Sequence, residues 1–467
     1  MELRVKTGKT ERVLPFEEGE TLLSALARGG FLLPADCGGR GTCGKCLVRI
    51  EGERAPVLAC RTPARACTVL LEGALRATGE GLCGERTRYS GGGEGFALAV
   101  DVGTTTLAYA LCDLAAGRVI ARAAERNAQA SFGADVLSRI SAAEAGNAEK
   151  LSDCVRGQIA ARAARFSREC GAPLRTIAVC GNTAMLHLLR SAPVGGLARA
   201  PFAPAFLRAE RLTLAGLPAP VLFLPCASAF LGADAVAAAV AAGLDEREGA
   251  LVDLGTNGEL LVNAGGQIYG ASAAAGPCFE GASIECGMGG LAGAISSVRA
   301  ERGRVVYTTV DGAPARGICG AGLIDAVATF LDAGVIDAGG RMPCGRADLA
   351  EGVYLTQKDV RAFQLAKAAV RAGLEVLFAR AGRRFDDIFV AGGLGFYLNR
   401  QSAKRVGLFP AQARLLPLGN AALDGTAACL FEGDALARAQ AFADRVQTQE
   451  LASNESFNAL FLQYMGF

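Results

Sequence analysis

The stretch that decides the fold is residues 96–113, FALAVDVGTTTLAYALCD. An apolar run leads to Asp101, a turn of small residues follows, and a second apolar run leaves the turn. This pattern predicts a β-hairpin with a carboxylate and hydroxyl groups at its tip. Glycine lets the turn approach a phosphate, whose oxygens successive N–H groups and hydroxyls can bind. Gly103, Thr104 and Thr105 are therefore predicted to bind ATP. Asp101 is a candidate catalytic residue that holds Mg²⁺ or its waters.

A second stretch, residues 250–262 with the sequence ALVDLGTNGELLV, repeats this design. A single motif of this kind is weak support, because tight hairpins carry Asp, Gly and Thr for reasons of turn geometry alone. Two copies, each between patterns of buried strands, favour a pair of phosphate-binding loops over two unrelated turns. In the second copy Asp253 is the candidate catalytic residue. The candidates for binding ATP there are Gly255, Thr256 and Asn257.

The paired hairpins resemble those of the superfamily of actin, sugar kinases and heat-shock chaperone ATPases, whose members clamp ATP between two related domains. The resemblance implies a two-lobed, ribonuclease H-like fold. Three further motifs of this superfamily are matched in the expected order. Asn182 and Thr183 begin the first connecting segment, where they would face the phosphates. Gly392 and Gly393 form the adenosine motif, and residues 420–428 resemble the second connecting helix.

Two more stretches carry candidate residues. Glu280 lies in a loop with Gly and Pro, where a carboxylate can orient a water or a metal ion, so it is a candidate catalytic residue. The alternative is a turn residue that caps a helix, because loops favour such residues anyway. Gly320 and Gly322 begin an apolar helix pattern, and their lack of a side chain predicts close approach by the ribose or phosphates of ATP.

The composition of the chain excludes several classes of function. Its 467 residues suffice for two or three domains with buried cores. A net charge of +2 with 20% charged residues implies no face that binds polyanions, so no nucleic-acid partner is expected. The first residues lack the apolar core of a signal peptide, and no apolar run has transmembrane length. This predicts a cytoplasmic protein that does not bind membranes. His187, the only histidine, is predicted to be a buried core or interface residue rather than a catalytic one.

Residues 37–46, CGGRGTCGKC, place three cysteines and four glycines in ten residues. The glycines let backbone N–H groups turn toward sulfur atoms without Cβ clashes. Iron–sulfur clusters are held by Cys thiolates, and plant-type [2Fe–2S] proteins use three loop cysteines with a distant fourth. The loop resembles theirs with one extra residue in the first gap, so Cys37, Cys43 and Cys46 are predicted to bind a [2Fe–2S] cluster. The alternatives are a zinc knuckle and a loop of metal-free thiols.

Cys60 is the predicted fourth ligand, because the phrase LACRTP that contains it resembles the ferredoxin position. Cys67 and Cys83 are its rivals, although Cys83 falls beyond the last predicted strand of this module. The order strand, strand, helix, cysteine loop and strand matches the β-grasp fold of these ferredoxins.

These observations divide the chain into four segments and give the fold class as α+β and α/β. The first three are a [2Fe–2S] ferredoxin-like module over residues 1–75, a Gly-rich flexible linker over residues 76–95, and ATPase lobe I over residues 96–245. ATPase lobe II follows over residues 246–467, and an open alternative is that the C-terminal helices cross back to lobe I.

An iron–sulfur module joined to such an ATPase resembles the ATP-dependent reductive activators of corrinoid proteins. The phrases that carry this resemblance are CGGRGTCGKC, DVGTTT, GADVLSRI, GNTAMLHLL, DLGTNGEL, AAGPCFEGA, GICGAGLID, VAGGLG, LDGTAA and FNALFLQYMGF. The resemblance implies that an electron passes from the cluster to Co(II), which regenerates Co(I) for methyl transfer while ATP completes the cycle. The partners it implies are a corrinoid protein of a methyltransferase system, an external low-potential electron donor and a second copy of the chain in a homodimer.

The sequence departs from this family in two places. Better-known members carry an extra small domain between the cluster module and the ATPase, where this chain has only residues 76–95. Ala128 also stands where relatives often have Pro. Two other functions remain open at this point: an ATP-driven electron donor that activates another low-potential enzyme, and a redox-regulated small-molecule kinase.

Overall fold

A computed structural model of the chain shows two compact units. The structure describes residues 2–7, 10–16, 19–28, 31, 33, 41, 46–53, 55–71, 89–90, 93–394 and 397–467. The described residues up to 71 and residues 93–223 belong to one unit, and residues 89–90 and 224–467 belong to the other.

The N-terminal module is a five-stranded sheet with one helix. Its elements are β1 (Glu2–Thr7), β2 (Thr10–Pro15), α1 (Leu22–Arg28), β3 (Leu47–Ile50), β4 (Val57–Leu58) and β5 (Thr68–Leu70). The strand order is β2-β1-β5-β3-β4, with β1 and β5 parallel and the other pairs antiparallel. Leu3, Val5, Leu22 and Leu26 are fully buried between the sheet and α1. The order of elements confirms the predicted β-grasp module.

The rest of the first unit is built on a six-stranded sheet. Its strands and main helices are β6 (Phe96–Val102), β7 (Thr106–Asp113), β8 (Arg118–Arg126), α2 (Val136–Ala142), α3 (Ala148–Cys170), β9 (Leu174–Gly181), α4 (Thr183–Arg190), β10 (Glu210–Leu212) and β11 (Val221–Phe223). The strand order is β10-β11-β9-β6-β7-β8. Strands β6, β7 and β8 form an antiparallel meander, and β9 pairs parallel with β6. The predicted hairpin over residues 96–113 is therefore confirmed.

The second unit repeats this plan with insertions. Its elements are α5 (Ala233–Ala242), β12 (Gly249–Leu254), β13 (Gly258–Ala264), β14 (Gln267–Ala273), β15 (Ala294–Glu301), β16 (Arg304–Thr309), β17 (Gly317–Ile318), α6 (Gly320–Asp332), β18 (Arg346–Ala350), β19 (Val353–Thr356), α7 (Gln357–Arg380), β20 (Asp387–Ala391), α8 (Arg400–Arg405), β21 (Arg414–Gly419), α9 (Ala421–Phe431), α10 (Ala435–Arg445), β22 (Val446–Thr448) and α11 (Glu455–Gln463). Its main sheet has the order β21-β20-β12-β13-β14-β22.

The two six-stranded sheets share a core of five strands, β11-β9-β6-β7-β8 in one and β21-β20-β12-β13-β14 in the other. The sixth strand differs, because β10 is antiparallel to β11 whereas β22 is parallel to β14. In each core, an antiparallel meander of three strands comes first in the sequence, and two later strands add in parallel beside its first strand. Each meander begins with a phosphate-hairpin motif, which places Asp101 near the end of β6 and Asp253 near the end of β12. This repetition confirms the predicted fold of two ribonuclease H-like lobes.

The predicted helices are found with small shifts. Helix α7 begins after Thr356, whose side chain forms a capping box with Asp359. After Gly392 and Gly393, the next helix among the described residues begins at Arg400. Residues 392–394 form a turn that directly follows β20.

The second compact unit begins at Leu224, earlier in the chain than the predicted start of lobe II at residue 246. The physical reason is that α5 packs against α9 and α10. The C-terminal helix α11 packs against α7 of the same unit. No helix within the described ranges combines the length and the apolar character needed to cross a membrane.

Candidate functional site

The first turn, residues 103–105, joins β6 to β7. A Cβ atom on Gly103 would lie 2.5 Å from the carbonyl oxygen of Thr106, so the turn has room only for glycine. Thr104 is buried, whereas Asp101, Gly103 and Thr105 stay partly exposed. The turn is thus compact, and part of its surface remains accessible to a ligand.

Strand β9 and helix α4 add polar groups to this turn. Asn182 caps α4 by accepting a hydrogen bond from the N–H of Met185 (2.9 Å), and its side chain donates to Oγ1 of Thr104 (2.9 Å). Cys180 lies opposite Asp101 in the sheet and donates from Sγ to Oδ1 of Asp101 (3.8 Å). The structure therefore brings together Asp101, Thr104 and Asn182, which the sequence had singled out separately.

The side chain of Thr183 is almost completely buried, at 1% exposure. The backbone carbonyl of Thr183 accepts a hydrogen bond from Nδ1 of His187 (2.7 Å). A hydroxyl removed from solvent is poorly placed to reach a nucleotide, so the assignment of Thr183 to ATP stays a prediction.

Three buried residues form hydrogen bonds that fix the first turn. None of them has a role predicted from the sequence. Asn127 donates from Nδ2 to the carbonyl of Gly103 (2.8 Å) and from its backbone N–H to the carbonyl of Thr105 (2.9 Å). Arg139 donates to the carbonyl of Thr104 (2.5 Å). The third residue, Gln129, accepts from both Asn127 and Arg139 (3.3 Å each). All three are fully buried.

In the second hairpin, Glu280 contacts the turn. Oγ1 of Thr256 donates to Oε2 of Glu280 (2.8 Å). A Cβ on Gly255 would lie 3.7 Å from Oε1 of the same carboxylate. The N–H of Gly255 bonds to the carbonyl of Asn257 (3.0 Å), which closes the turn. Glu280 is thus placed at the predicted loop. It also lies in a short helical turn (Pro277–Glu280), so the alternative of a residue with a purely structural role in a turn stays open.

Two further carboxylates accompany Asp253 and Glu280. Glu259 lies directly opposite Asp253 in the pairing of β12 with β13. Burial raises the pKa of Glu259 well above its usual 4.5, and the charges of Asp234, Asp253 and Glu280 raise it further. Burial also raises the pKa of Asp234, in the first turn of α5, to about 6. A group of carboxylates under such mutual repulsion is the kind of site that a divalent cation would stabilise.

The predicted glycines differ in their surroundings. Gly392 has φ +95°, and a Cβ there would meet the carbonyl of Leu254 (2.5 Å) and Oδ1 of Asp253 (2.7 Å). This places the predicted adenosine motif beside the second hairpin, and the neighbouring Gly393 is exposed.

Gly320 and Gly322 are buried. A Cβ on Gly320 would lie 1.9 Å from the carbonyl of Phe279, and one on Gly322 would lie 2.1 Å from that of Ile295. The close approach predicted from these glycines is therefore made by the protein's own backbone. Their assignment to ATP stays a prediction.

The cysteine loop is described only in part. Cys37 and Cys43 lie outside the described residues, as does the rival Cys83. Cys46 and Cys60 are both buried, and the N–H of Ala59 donates to the carbonyl of Cys46 (2.8 Å), so they lie at the same end of the strand pair β3–β4.

The rival Cys67 precedes β5 at the opposite end of β3. The N–H of Glu51 donates to the carbonyl of Thr68 (2.8 Å), which puts Cys67 level with Gly52. At about 3.4 Å per residue along a strand, the six residues from Cys46 to Gly52 correspond to about 20 Å. This distance argues against a cluster shared by Cys46 and Cys67.

Comparison with known proteins agrees with both parts of this architecture. Residues 249–467 match the family described as the C-terminal domain of RACo, the ASKHA domain, and residues 96–247 match the RACo middle region. The chain belongs to the RACo family. Residues 5–65 match the 2Fe-2S iron-sulfur cluster binding domain, a range that includes Cys60 and excludes Cys67.

Two relatives of this RACo-family chain have names that refer to the activation or reduction of corrinoids. It is 31% identical over 359 residues to "Corrinoid activation enzyme RamQ" of Eubacterium limosum, covering 68% of this chain and 60% of that protein. It is also 31% identical over 262 residues to "[Co(II) methylated amine-specific corrinoid protein] reductase" of Methanosarcina barkeri, covering 50% and 48%. The aligned part thus spans less than two thirds of either relative.

The solved structure of a "Reductive activator for corrinoid,iron-sulfur protein" resembles the whole chain. The two share 25% sequence identity and superpose with a TM-score of 0.74 over 100% of this chain and 98% of the other. The RACo-type fold therefore extends over both the iron–sulfur module and the ATPase-like lobes.

Proposed function

We propose that this chain is an ATP-dependent reductive activator of a corrinoid protein. It would pass one electron from a [2Fe–2S] cluster to Co(II) and so regenerate Co(I) for methyl transfer. One observation carries this proposal: a single chain unites a 2Fe-2S domain with both RACo domains.

The cysteines of the N-terminal module suit a [2Fe–2S] cluster. Cys37, Cys43, Cys46 and Cys60 are proposed as its ligands, since four thiolates with this loop spacing are the usual donor set. Gly41 has φ +74°, a backbone conformation that favours glycine within such a loop. When bound, the cluster supplies a one-electron carrier, and the burial of Cys46 and Cys60 keeps water from that side of it.

The electron transfer is expected to be uphill, so its equilibrium must be shifted either by a changed cobalt ligation in the complex or by closure and release driven by ATP. Plant-type clusters have potentials near about −400 mV. The Co(II)/Co(I) couple of a resting corrinoid protein is expected to be lower, and each deficit of about 59 mV costs about tenfold in the equilibrium. A ligand shifts such an equilibrium only if it binds the two states with different affinity.

Residues of both hairpins are proposed to bind ATP with Mg²⁺. On the first hairpin these are Asp101 and the turn Gly103–Thr105, and on the second Asp253 with the turn Gly255–Asn257. The fit is supported by the polar groups that meet at the two turns, where Asn182 donates to Thr104 and Thr256 donates to Glu280. Asp253 and Glu280 are proposed to hold Mg²⁺, since the crowded carboxylates of the second hairpin suit a hard cation.

The remaining partners follow from the family resemblance and are proposals as well. They are an external low-potential electron donor and a second copy of the chain in a homodimer. A cytoplasmic location is proposed as well, since the cysteines of the described residues are free thiols rather than disulfides.

An anaerobic assay tests the proposal. Cluster-reconstituted, reduced protein is mixed with Mg-ATP and a Co(II) corrinoid protein, and the absorbance of Co(I) is followed. We expect Co(I) to form with ATP and to form much less without it. Absence of Co(I) with several corrinoid proteins, together with phosphorylation of a sugar or an acid, would instead identify a kinase. Transfer to a different low-potential enzyme would identify another acceptor.

A further inference from the structure

We propose that Asn127 and Arg139, braced by Gln129, are positioning residues for the phosphate-binding turn of the first hairpin. This inference rests on the proposed binding of ATP. It assigns a role to the segment Asn127–Arg139, which the nucleotide motifs leave unexplained.

The three successive carbonyls of the turn all bond to this segment. The carbonyls of Gly103 and Thr105 accept from the side chain and the backbone N–H of Asn127 (2.8 and 2.9 Å), and that of Thr104 accepts from Arg139 (2.5 Å). In a planar trans peptide, the C=O of one residue and the N–H of the next point in opposite directions. Fixing the carbonyls inward therefore turns the following N–H groups outward. A row of outward N–H groups is the geometry that binds phosphate oxygens.

The residues that hold these carbonyls are themselves fixed. The N–H of Gln129 donates to Oδ1 of Asn127 (2.9 Å), which leaves Nδ2 of Asn127 directed at Gly103. Gln129 in turn donates from Nε2 to the carbonyl of Leu151 in α3 (2.9 Å). Because buried hydrogen-bonded networks lose most when one member loses its partner, the orientation of the turn depends on each residue of the set.

Arg139 joins two separate stretches of backbone. Its Nε donates to the carbonyl of Gly133 (2.9 Å) while Nη2 donates to that of Thr104, and Nη1 contacts Gln129 and Sδ of Met185 (3.3 and 3.1 Å). The side chain is fully buried despite its charge. A planar guanidinium can bond in these directions at once, and the single ammonium of lysine cannot reproduce that fork.

Asn127→Asp is the sharpest test, because it keeps the size and the Oδ1 acceptor but loses the donor to Gly103. The matched control is Asn263→Asp on β13. Asn263 is also buried, donates to a backbone carbonyl (Leu244, 2.7 Å) and accepts from a backbone N–H (Gly266, 3.0 Å), but lies at the end of its hairpin away from the turn. Both variants should lower the melting temperature. Only Asn127→Asp should weaken the affinity for Mg-ATP, by about tenfold or more.

The comparison of ATP with adenosine separates positioning from general damage. Since the turn would contact phosphates, Asn127→Asp should lose affinity for ATP and little for adenosine, whereas a loosened fold would weaken both equally. Arg139→Lys keeps a cation and should show the same selective loss. The inference is overturned if Asn127→Asp and Arg139→Lys bind ATP as the unmodified protein does, or lose ATP and adenosine alike.

The same measurements keep this inference distinct from the proposed function. If the unmodified protein binds ATP but never reduces Co(II), the proposed activity fails and the positioning role is judged on the affinities alone. If the unmodified protein does not bind ATP, both are overturned.

Discussion

At the scale of single residues, His187 shows how burial decides the role of a titratable side chain. It is fully buried and stacks on Phe206 with 4.2 Å between ring centroids. Its Nε2 accepts from the N–H of Ala205 (3.0 Å), so the ring is neutral and Nδ1 donates to the carbonyl of Thr183 (2.7 Å). This confirms the prediction of a buried core histidine. The ring also links α4, which begins after Asn182, to the loop that follows it.

His187 should therefore make stability depend on pH. Burial lowers its pKa below the ordinary 6.5, and the nearby Arg190 adds to the effect against the opposing bond to Thr183. The unfolded chain then binds the proton more readily, so this contribution is present above about pH 6.5 and is lost as the pH falls. We expect His187→Gln to cost about 1–3 kcal/mol in the free energy of unfolding at pH 7.5 and less at pH 5.

Because His187 is the only histidine, one NMR titration of its imidazole gives the value directly. A midpoint at or above 6.5 would contradict the prediction. So would an equal cost of His187→Gln at both pH values in denaturant unfolding.

At the scale of secondary-structure elements, two carboxylates of the second hairpin repel each other. Asp253 and Glu259 are opposite each other on β12 and β13, and like charges in such a pair destabilise a sheet. The raised pKa of Glu259 means that its ionised form is disfavoured in the folded state. The stability of the cation-free protein should therefore fall as the pH rises through that pKa.

Glu259→Gln should stabilise the protein in the presence of EDTA. The neutral isostere removes the repulsion, and we expect a gain of about 0.5–2 kcal/mol at pH 8 that shrinks toward pH 5. Glu301→Gln, at the exposed end of β15, is the control and should change stability little. Thermal unfolding across this pH range checks the result, and a loss of stability at pH 8 would contradict it.

The same hairpin shows what the sequence could and could not predict. Asp, Gly and Thr at a turn between apolar runs are local signals, so both hairpins and the module of residues 1–75 were predictable. The network of Asn127 and Arg139 depends on which carbonyls approach them in the folded chain, and no local pattern encodes that. The position of Glu259 was easier to predict, because a tight turn after Asp253 fixes the strand pairing that puts both carboxylates on one face of the sheet.

The departure at Ala128 also has a local explanation. Its N–H donates to Oε1 of Gln158 in α3 (2.8 Å), a bond that the Pro expected from relatives could not make. Gln158 also donates to the carbonyl of Arg126 (2.9 Å), so α3 holds both sides of this loop. The sequence alone shows that Ala stands where relatives often have Pro, but it does not show that the N–H of Ala128 bonds to Gln158.

At the scale of the whole molecule, the chain joins a redox module to a nucleotide-binding pair of lobes. The hydrophobic core of the iron–sulfur module is separate from that of residues 250–451, which carry the second hairpin, among the described residues. Tyr89 stacks on Phe431 with 4.6 Å between ring centroids and donates to the carbonyl of Asp424 (3.3 Å), which fixes that point of the predicted linker to α9. The cluster and the nucleotide site should therefore fail independently when each is mutated.

Cysteine variants test that independence and the choice of the fourth ligand together. Cys60→Ser should lose most of the visible absorbance of the reconstituted cluster, because it replaces a proposed ligand at the same end of β3 as Cys46. Cys67→Ser should retain that absorbance, since Cys67 lies at the far end of β3. Both should bind Mg-ATP with unchanged affinity.

Asp253→Asn should have the opposite effect, with a full cluster spectrum and with ATP affinity or hydrolysis reduced about tenfold or more. If Cys67→Ser bleaches the protein while Cys60→Ser does not, the ligand assignment is wrong. Loss of ATP binding in Cys60→Ser would show that the cluster module supports the nucleotide site, and the separation of the two functions would then fail.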